Sequence, residues 1–319
     1  MKRLLKIILL ACIAIPLLAC SRNKNKDKIN VVVTIYPIYD WVENIIKDTS
    51  KDIEVTLLVD SGADLHNYQP TIKDISIITS SDLFIYVGGS SDSWVDDTLK
   101  NKTNENMITI NLLETLGDRA KEEELIDGME PEDEDDGEDE IEYDEHVWLS
   151  LKNAALFVNK IAESLSLIDE ANKDKYLSNK DNYVAQLNSL DERYLAAVSE
   201  KTKDTILFAD RFPFRYLLND YDIKYYAAFL GCSAETEASF ETIIFLANKV
   251  DELHLDVILK IEGSDGRIAE TVKSNTTSKN QRILTMNSLQ SLTLRDYKNG
   301  ITYLGVMEDN LLSFIEALK

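Results

Sequence analysis

The chain carries only three histidines, His66, His146 and His254. A neutral imidazole is the commonest transition-metal ligand, with its nitrogen about 2.0–2.1 Å from a bound zinc. His66 sits in SGADLHNYQPTIKD. This segment leaves an apolar run, Ile53–Val59, and precedes a helix expected to start near Pro70. That puts the imidazole at the C-terminal end of a strand, where open α/β sheets hold their ligands. His146 sits in DEHVWLS, ahead of a helix expected over Leu151–Leu165. The two lie too far apart in sequence to form a local motif of the HExxH kind, and either one alone reads as readily as a hydrogen-bonded loop residue. His254, in VDELHLDV at a helix-to-strand junction, reads as structural or exposed. A second chemistry-bearing stretch is Glu122–Glu145, with sixteen acids in 24 residues and no Lys or Arg. Self-repulsion and low hydrophobicity predict a disordered insertion there. It is either a solvated spacer or a weak, fast collector of hard cations.

The elements that must position these groups are an alternation of short apolar runs and helical stretches. Strands are expected at Ile29–Ile35, Ile53–Val59, Leu83–Val87 and Met107–Asn111, then at Thr205–Ala209, Ile223–Ala228, Leu255–Ile261 and Arg282–Thr285. Most are near-continuous apolar runs, the pattern of strands buried on both faces of a parallel sheet. Helices are expected at Ile38–Lys47, Trp94–Asn101, Thr236–Leu253, Arg267–Thr276 and Ile301–Leu318. Between the two sets of strands runs a long helix, Asn172–Glu200. It holds no Gly or Pro, and Tyr183, Leu187, Leu190, Tyr194 and Val198 fall on one face. The expectation is an α/β protein of two similar, Rossmann-like lobes, 29–170 and 203–319. Each lobe has a four-stranded, mainly parallel sheet, and a rigid helix at 171–202 joins them.

The N-terminus reads as an export signal. Lys2, Arg3 and Lys6 precede an apolar stretch, Ile7–Leu18, too short for a lasting membrane span. It ends in Leu17-Leu18-Ala19-Cys20, which resembles a lipobox. The expectation is cleavage after residue 19, a lipid on Cys20 and a polar tether over 20–28. Cys12 leaves with the signal. Cys232 then stands alone, which excludes an intramolecular disulfide and a cysteine-rich metal site. The formal charge is −23, and losing the signal removes three cations and no acid. Such a surface disfavours nucleic acid and suits a cation ligand. No G-x-S-x-G, HExxH or Cys–His pairing supports a hydrolase, so no enzyme activity is expected.

Three segments give a resemblance to the solute-binding proteins of zinc and manganese ABC importers, bacterial solute-binding protein family 9. They are Gly62-Ala63-Asp64-Leu65-His66-Asn67-Tyr68-Gln69-Pro70, Asp144-Glu145-His146-Val147-Trp148-Leu149, and the opening Thr34-Ile35-Tyr36-Pro37-Ile38-Tyr39. The late Ile283–Leu289 segment and a charged insertion before the second histidine fit the same pattern. The resemblance implies two α/β lobes with the metal in the cleft between them, and His66 and His146 as ligands. It implies a monomer anchored outside the cell membrane through Cys20, handing zinc, or alternatively manganese, to an ABC permease and its ATPase subunit. The family's third ligand, a His or Glu, matches Arg211 without a gap and Asp210 with a one-residue gap. A guanidinium cannot ligate, so Asp210 is the expected third ligand. Asn287 stands where the fourth is often Asp, and Glu235, Glu237 and Glu262 are nearby substitutes. The competing reading is a receptor for a small organic solute or metal chelate, with Arg211 and Arg215 pairing to its carboxylates.

Overall fold

The computed structural model of the chain describes residues 28–129, 142–233 and 237–319. The export signal, Cys20 and the tether up to residue 27 lie outside the described residues, as do the middle of the acidic stretch and Glu235.

The first sheet is built from β1 (Lys28–Val33), β2 (Asp52–Leu57), β3 (Leu83–Tyr86) and β4 (Ile108–Asn111). They lie in the order β2-β1-β3-β4 and every pair is parallel. Helices α1 (Tyr36–Ile46), α2 (Ile72–Ser80), α3 (Trp94–Leu99) and α4 (Leu112–Leu116) connect the strands, and α5 (Leu151–Ile168) follows the second histidine. The linking helix α6 spans Lys173–Ser199. The second sheet repeats the plan with β5 (Thr205–Phe212), β6 (Lys224–Leu230), β7 (Val257–Ile261) and β8 (Arg282–Met286), in the order β6-β5-β7-β8 and again all parallel. Its helices are α7 (Arg215–Asp220), α8 (Phe240–Glu252), α9 (Arg267–Asn275), α10 (Leu294–Lys298) and α11 (Tyr303–Ala317).

Period-two alternation divides each sheet between two cores. Val31 and Val33 face the main core, while Val32 joins Ile78, Phe84 and Met107 on the outer side of the first sheet. Leu207, Ala228 and Ile258 do the same for the second sheet. Central strands are buried on both faces, as expected of parallel sheets. The edge strands β2 and β8 are only half-buried, because helices cover them less completely.

The main core is continuous through both halves and along α6, whose Tyr176, Tyr183, Leu187, Leu190 and Tyr194 are all buried. Polar ties cross at the same places. Tyr183 donates to Asp40 of α1 at 2.8 Å, and Tyr194 donates to the Met307 carbonyl of α11 at 2.8 Å. Buried Trp148, two residues past the second histidine, donates from Nε1 to the Ser288 carbonyl at 2.8 Å and accepts at its own carbonyl from Tyr303. The site therefore lies between two halves that are already clamped together.

The acidic stretch is folded at both ends, which narrows the expected disorder. Glu122 bridges Tyr143 in antiparallel fashion, and the Glu123 N–H donates to the Glu142 carbonyl at 2.8 Å. Met129, Asp144 and Glu145 are buried. Residues 130–141 lie outside the described residues. The physical reason is a long-range partner: Arg215 of α7 donates to the Glu122 carbonyl and pairs with Glu124 at 2.9 Å, so a cation from the second half offsets the repulsion.

Candidate metal centre

After β2 the chain runs to a short 3-10 turn, Leu65–Asn67, capped by Asp64, whose Oδ1 accepts the His66 N–H at 3.2 Å. The imidazole is thereby aimed inward. Its Nδ1 lies 2.7 Å from Ser91 Oγ and 3.4 Å from Glu145 Oε2. Glu145 is itself fixed, its Oε1 accepting from the Ser91 N–H at 2.9 Å and the Ser90 hydroxyl at 3.1 Å. His146 is fully buried. Its Nδ1 lies 3.0 Å from Asp144 Oδ1, and that same oxygen accepts the His146 N–H at 2.8 Å.

A carboxylate can only accept, so Asp144 holds the His146 ring proton on Nδ1 and leaves its Nε2 with a lone pair; at His66 the Ser91 hydroxyl is the close Nδ1 partner, with the Glu145 charge behind it. The two Nε2 atoms face each other at 3.3 Å. Two bare lone pairs at that distance repel unless a cation or proton lies between them. Nitrogens bound to a tetrahedral zinc at about 2.05 Å stand about 3.3 Å apart, so the spacing fits the ion.

The charges around the pair also favour a cation. Burial works against a positive His66, but the acceptor oxygen of Glu145 and the charges of Asp64 and Glu145 outweigh it and raise its pKa. Asp92 lies alongside, its Oδ2 accepting from the Val87 and Gly88 N–H groups. Burial, reinforced by the charge of Glu145, pushes its carboxyl up to about 7.

A third donor enters from the second half. Cys232, just past β6, is a free, half-buried cysteine, and its Sγ lies with ring nitrogens of His66 and His146 in a group whose atoms are all within 4.8 Å of one another. Among the described residues this is the only such cluster of His, Cys, Asp or Glu. Sequence reasoning assigned Cys232 no role. The signal available was its being the one thiol left after the lipobox cysteine and the leader cysteine are set aside.

The other expected ligands are otherwise engaged. Asp210 is buried within β5, its two oxygens accepting from the Arg211 N–H at 2.9 Å and the Ile261 N–H at 3.3 Å. Asn287 Oδ1 caps the Leu289 N–H at 2.7 Å. Glu262 is held by Ser288, through its hydroxyl at 2.5 Å and its N–H at 2.7 Å, and burial raises its pKa. Glu237 is exposed. His254 is exposed in the turn closing α8, with a left-handed φ of 53°. Arg211 Nη1 reaches across to Asp64 Oδ2 at 2.9 Å and to the Ser233 carbonyl at 3.3 Å. It lines an open cleft of about 580 Å³ beside the histidines, together with Asp210, Glu262 and Gln290.

Two parallel sheets of one strand order, a long helix between them and a facing histidine pair at their junction define a two-lobed α/β architecture with a candidate metal centre in its cleft. The chain belongs to the family described as "Zinc-uptake complex component A periplasmic", whose model matches residues 31–317. It is 33% identical over 314 residues to the zinc-binding lipoprotein AdcA of Streptococcus pneumoniae strain R6, covering 96% of this chain and 59% of that protein. The chain thus spans rather more than half the length of that relative. Its identity to the high-affinity zinc uptake system protein ZnuA of Bacillus subtilis is 29%, over 94% of this chain and 89% of that one. Among solved structures, the Zn(II)-bound ZnuA-like domain of S. pneumoniae AdcA superimposes with a TM-score of 0.71 at 28% identity, covering 91% of this chain and 99% of that one. The metal-dependent lipoprotein YcdH of B. subtilis gives 0.73 at 27% identity, covering 91% and 100%.

Proposed function

We propose that this protein is the extracytoplasmic receptor of an ABC importer and that it captures zinc between His66 and His146 for delivery to a membrane permease driven by an ATPase subunit. The observation that carries the reading is the pair of Nε2 atoms 3.3 Å apart, with Asp144 on the Nδ1 of His146 and the Ser91 hydroxyl, backed by buried Glu145, on the Nδ1 of His66. That is the arrangement of metal-binding histidines, in which an outer carboxylate sets the tautomer and raises ligand basicity. Family membership and the zinc-binding relatives support the same cargo. Manganese, the alternative from sequence, would sit poorly on two imidazoles when zinc competes.

The organic-solute reading needs free guanidiniums in the cleft. Arg211 is paired with Asp64 and Arg215 with Glu124, which leaves neither free for a carboxylate ligand.

The protein acts as a monomer held at the membrane by a lipid on Cys20, with its polar tether leading to β1. Cys20→Ser is expected to release it from the membrane fraction, and an unchanged fractionation pattern would remove the anchor from the proposal. For the site, zinc is expected to raise the stability of the wild type by about 2.7 kcal/mol at a hundredfold excess over Kd. His66→Ala and His146→Ala should each abolish most of that gain. Full zinc stabilisation in both variants would remove the chemical basis of the reading.

A further inference from the structure

We infer that Cys232 is the third protein ligand, so that the cargo sits in a mixed site of two imidazoles and one thiolate supplied by both lobes. The inference rests on the histidine reading above and deepens it. Cys232 Sγ belongs to the one tight donor cluster among the described residues, within 4.8 Å of a ring nitrogen of each histidine. With a zinc–sulfur bond of about 2.3 Å and zinc–nitrogen bonds of about 2.05 Å, tetrahedral geometry sets S···N near about 3.6 Å. The 4.8 Å bound on the cluster exceeds that spacing by about 1.2 Å.

The backbone is shaped to put the thiol there. The two sheets share one strand order, and His66 and Cys232 each follow the second strand of their own lobe. Gly231, the residue between β6 and Cys232, packs directly on the second histidine. A Cβ at 231 would lie 2.7 Å from His146 Cε1 and 2.9 Å from the Phe212 carbonyl. Only glycine lets the turn come this close to the ring, and the next residue is the cysteine. The position in β5 that the family resemblance assigns to the third ligand is vacated by Arg211, whose guanidinium is tied back to Asp64 and to the Ser233 carbonyl, one residue past the cysteine. Asp210, beside it, spends both oxygens on backbone N–H groups.

The chemical consequence is selectivity. A thiolate is a soft ligand that favours zinc over manganese more strongly than any oxygen donor at the same place. Three protein ligands leave one tetrahedral position for water, an opening through which an ion that must be handed on can leave.

Cobalt(II) is the probe, because a thiolate ligand adds a near-ultraviolet charge-transfer band that imidazole and carboxylate do not. The mature lipoprotein is titrated in detergent, where the Cys20 sulfur carries the lipid. We expect the wild type to show the band and to prefer zinc over manganese. Cys232→Ser should lose the band and at least tenfold in zinc affinity. Cys232→Asp should recover part of the zinc binding without the band, with a narrowed preference over manganese. Cobalt binding by the wild type that depends on His66 but shows no thiolate band overturns the Cys232 assignment and leaves the histidine site standing. So does Cys232→Ser with wild-type zinc affinity and metal preference. If the folded wild type binds neither cobalt nor zinc, the histidine reading fails and takes this inference with it. Should Cys232→Ser fail to fold, the wild-type cobalt spectrum alone decides.

Discussion

Arg211 Nη1 of the second lobe stands 2.9 Å from Asp64 Oδ2 of the first, so a permanent cation of the protein lies beside the turn that carries His66. Asp64 also caps the turn that aims His66. The pair thus ties the lobes together and steadies a proposed ligand, while its guanidinium would repel the proposed cargo. Arg211→Met should separate these effects. Both partners are partly exposed, so the lost ion pair is worth about 1 kcal/mol at most. Zinc affinity should range from unchanged to about tenfold tighter, because a nearby positive charge is gone. Competition titration against a chromophoric chelator reads the affinity and thermal melting reads the stability. A tenfold weaker zinc affinity would mean that the arginine helps to form the site.

The second expectation concerns Asp144, whose Oδ1 accepts from both the backbone N–H and Nδ1 of His146. Removing it frees the ring to rotate and to hold its proton on the wrong nitrogen. Asp144→Ala should weaken zinc binding by about 10- to 100-fold. Asp144→Asn, which keeps one acceptor oxygen, should fall between it and the wild type. Isothermal titration in a weakly chelating buffer gives the ranking, and an Asn variant weaker than the Ala variant would contradict the orienting role.

The sheets and the long helix were legible in the sequence because their signals are cumulative. An apolar run such as Leu83–Val87 or a spaced face such as Tyr183, Leu187, Leu190 and Tyr194 tolerates an error at one position. The site depends on single residues, and at two polar stretches the structure places the chain differently from expectation. The first strand of the second lobe is expected to end at Ala209, just before Asp210 and Arg211. In fact β5 continues through an irregularity between Phe208 and Arg211 and keeps pairing with β6 as far as Phe212. Asp210 therefore lies inside a strand with its carboxylate turned to the backbone of β7. Glu122–Met129 read as too acidic to pack. Its order comes from Arg215 and from Tyr216, which accepts the Lys121 N–H at 2.9 Å, partners about a hundred residues away that no local pattern reveals. Cys232 carries no sequence signal of its own, because one thiol makes no motif until two distant histidines are brought to it.

Asp40 makes a prediction about pH. It is fully buried on α1, its Oδ2 accepts from Tyr183 and Asn44, and its Oδ1 has no hydrogen-bond partner among the described residues. Burial raises its pKa from 3.8 to about 6 despite these donors. The folded state thus holds the proton more tightly than the unfolded chain. The contribution of this group is most favourable below pH 3.8 and is lost as pH rises from there through about 6. A shift of about two units corresponds to about 3 kcal/mol. Asp40→Asn should remove that slope. The variant should therefore gain stability relative to the wild type between pH 4 and pH 6.5, whatever its offset at pH 4. Parallel denaturant melts of the metal-free proteins test it, and a constant difference across that range would rule out titration of Asp40.

The last prediction separates the root of the acidic stretch from its middle. Gly128 has a φ of 86°, a region L side chains avoid, and a Cβ there would lie 2.1 Å from Cδ1 of Phe245 on α8. Met129 beside it is buried in the main core, and Glu142 returns to pair with Glu123. The root therefore fastens the first lobe onto the second, close to Cys232. Gly128→Val adds both backbone strain and a clash, and should cost about 2–4 kcal/mol in the metal-free protein. Replacing residues 130–141 with a short Gly-Ser linker leaves all these contacts in place. That replacement should shift the melting temperature by no more than a few degrees and the equilibrium zinc affinity by less than about threefold. If the twelve residues collect cations, the loss should appear only in the rate of zinc capture from nanomolar solutions, which stopped-flow competition measures. A linker variant that melts as low as Gly128→Val would show that the acidic middle belongs to the fold, and one with an unchanged capture rate would leave it a spacer.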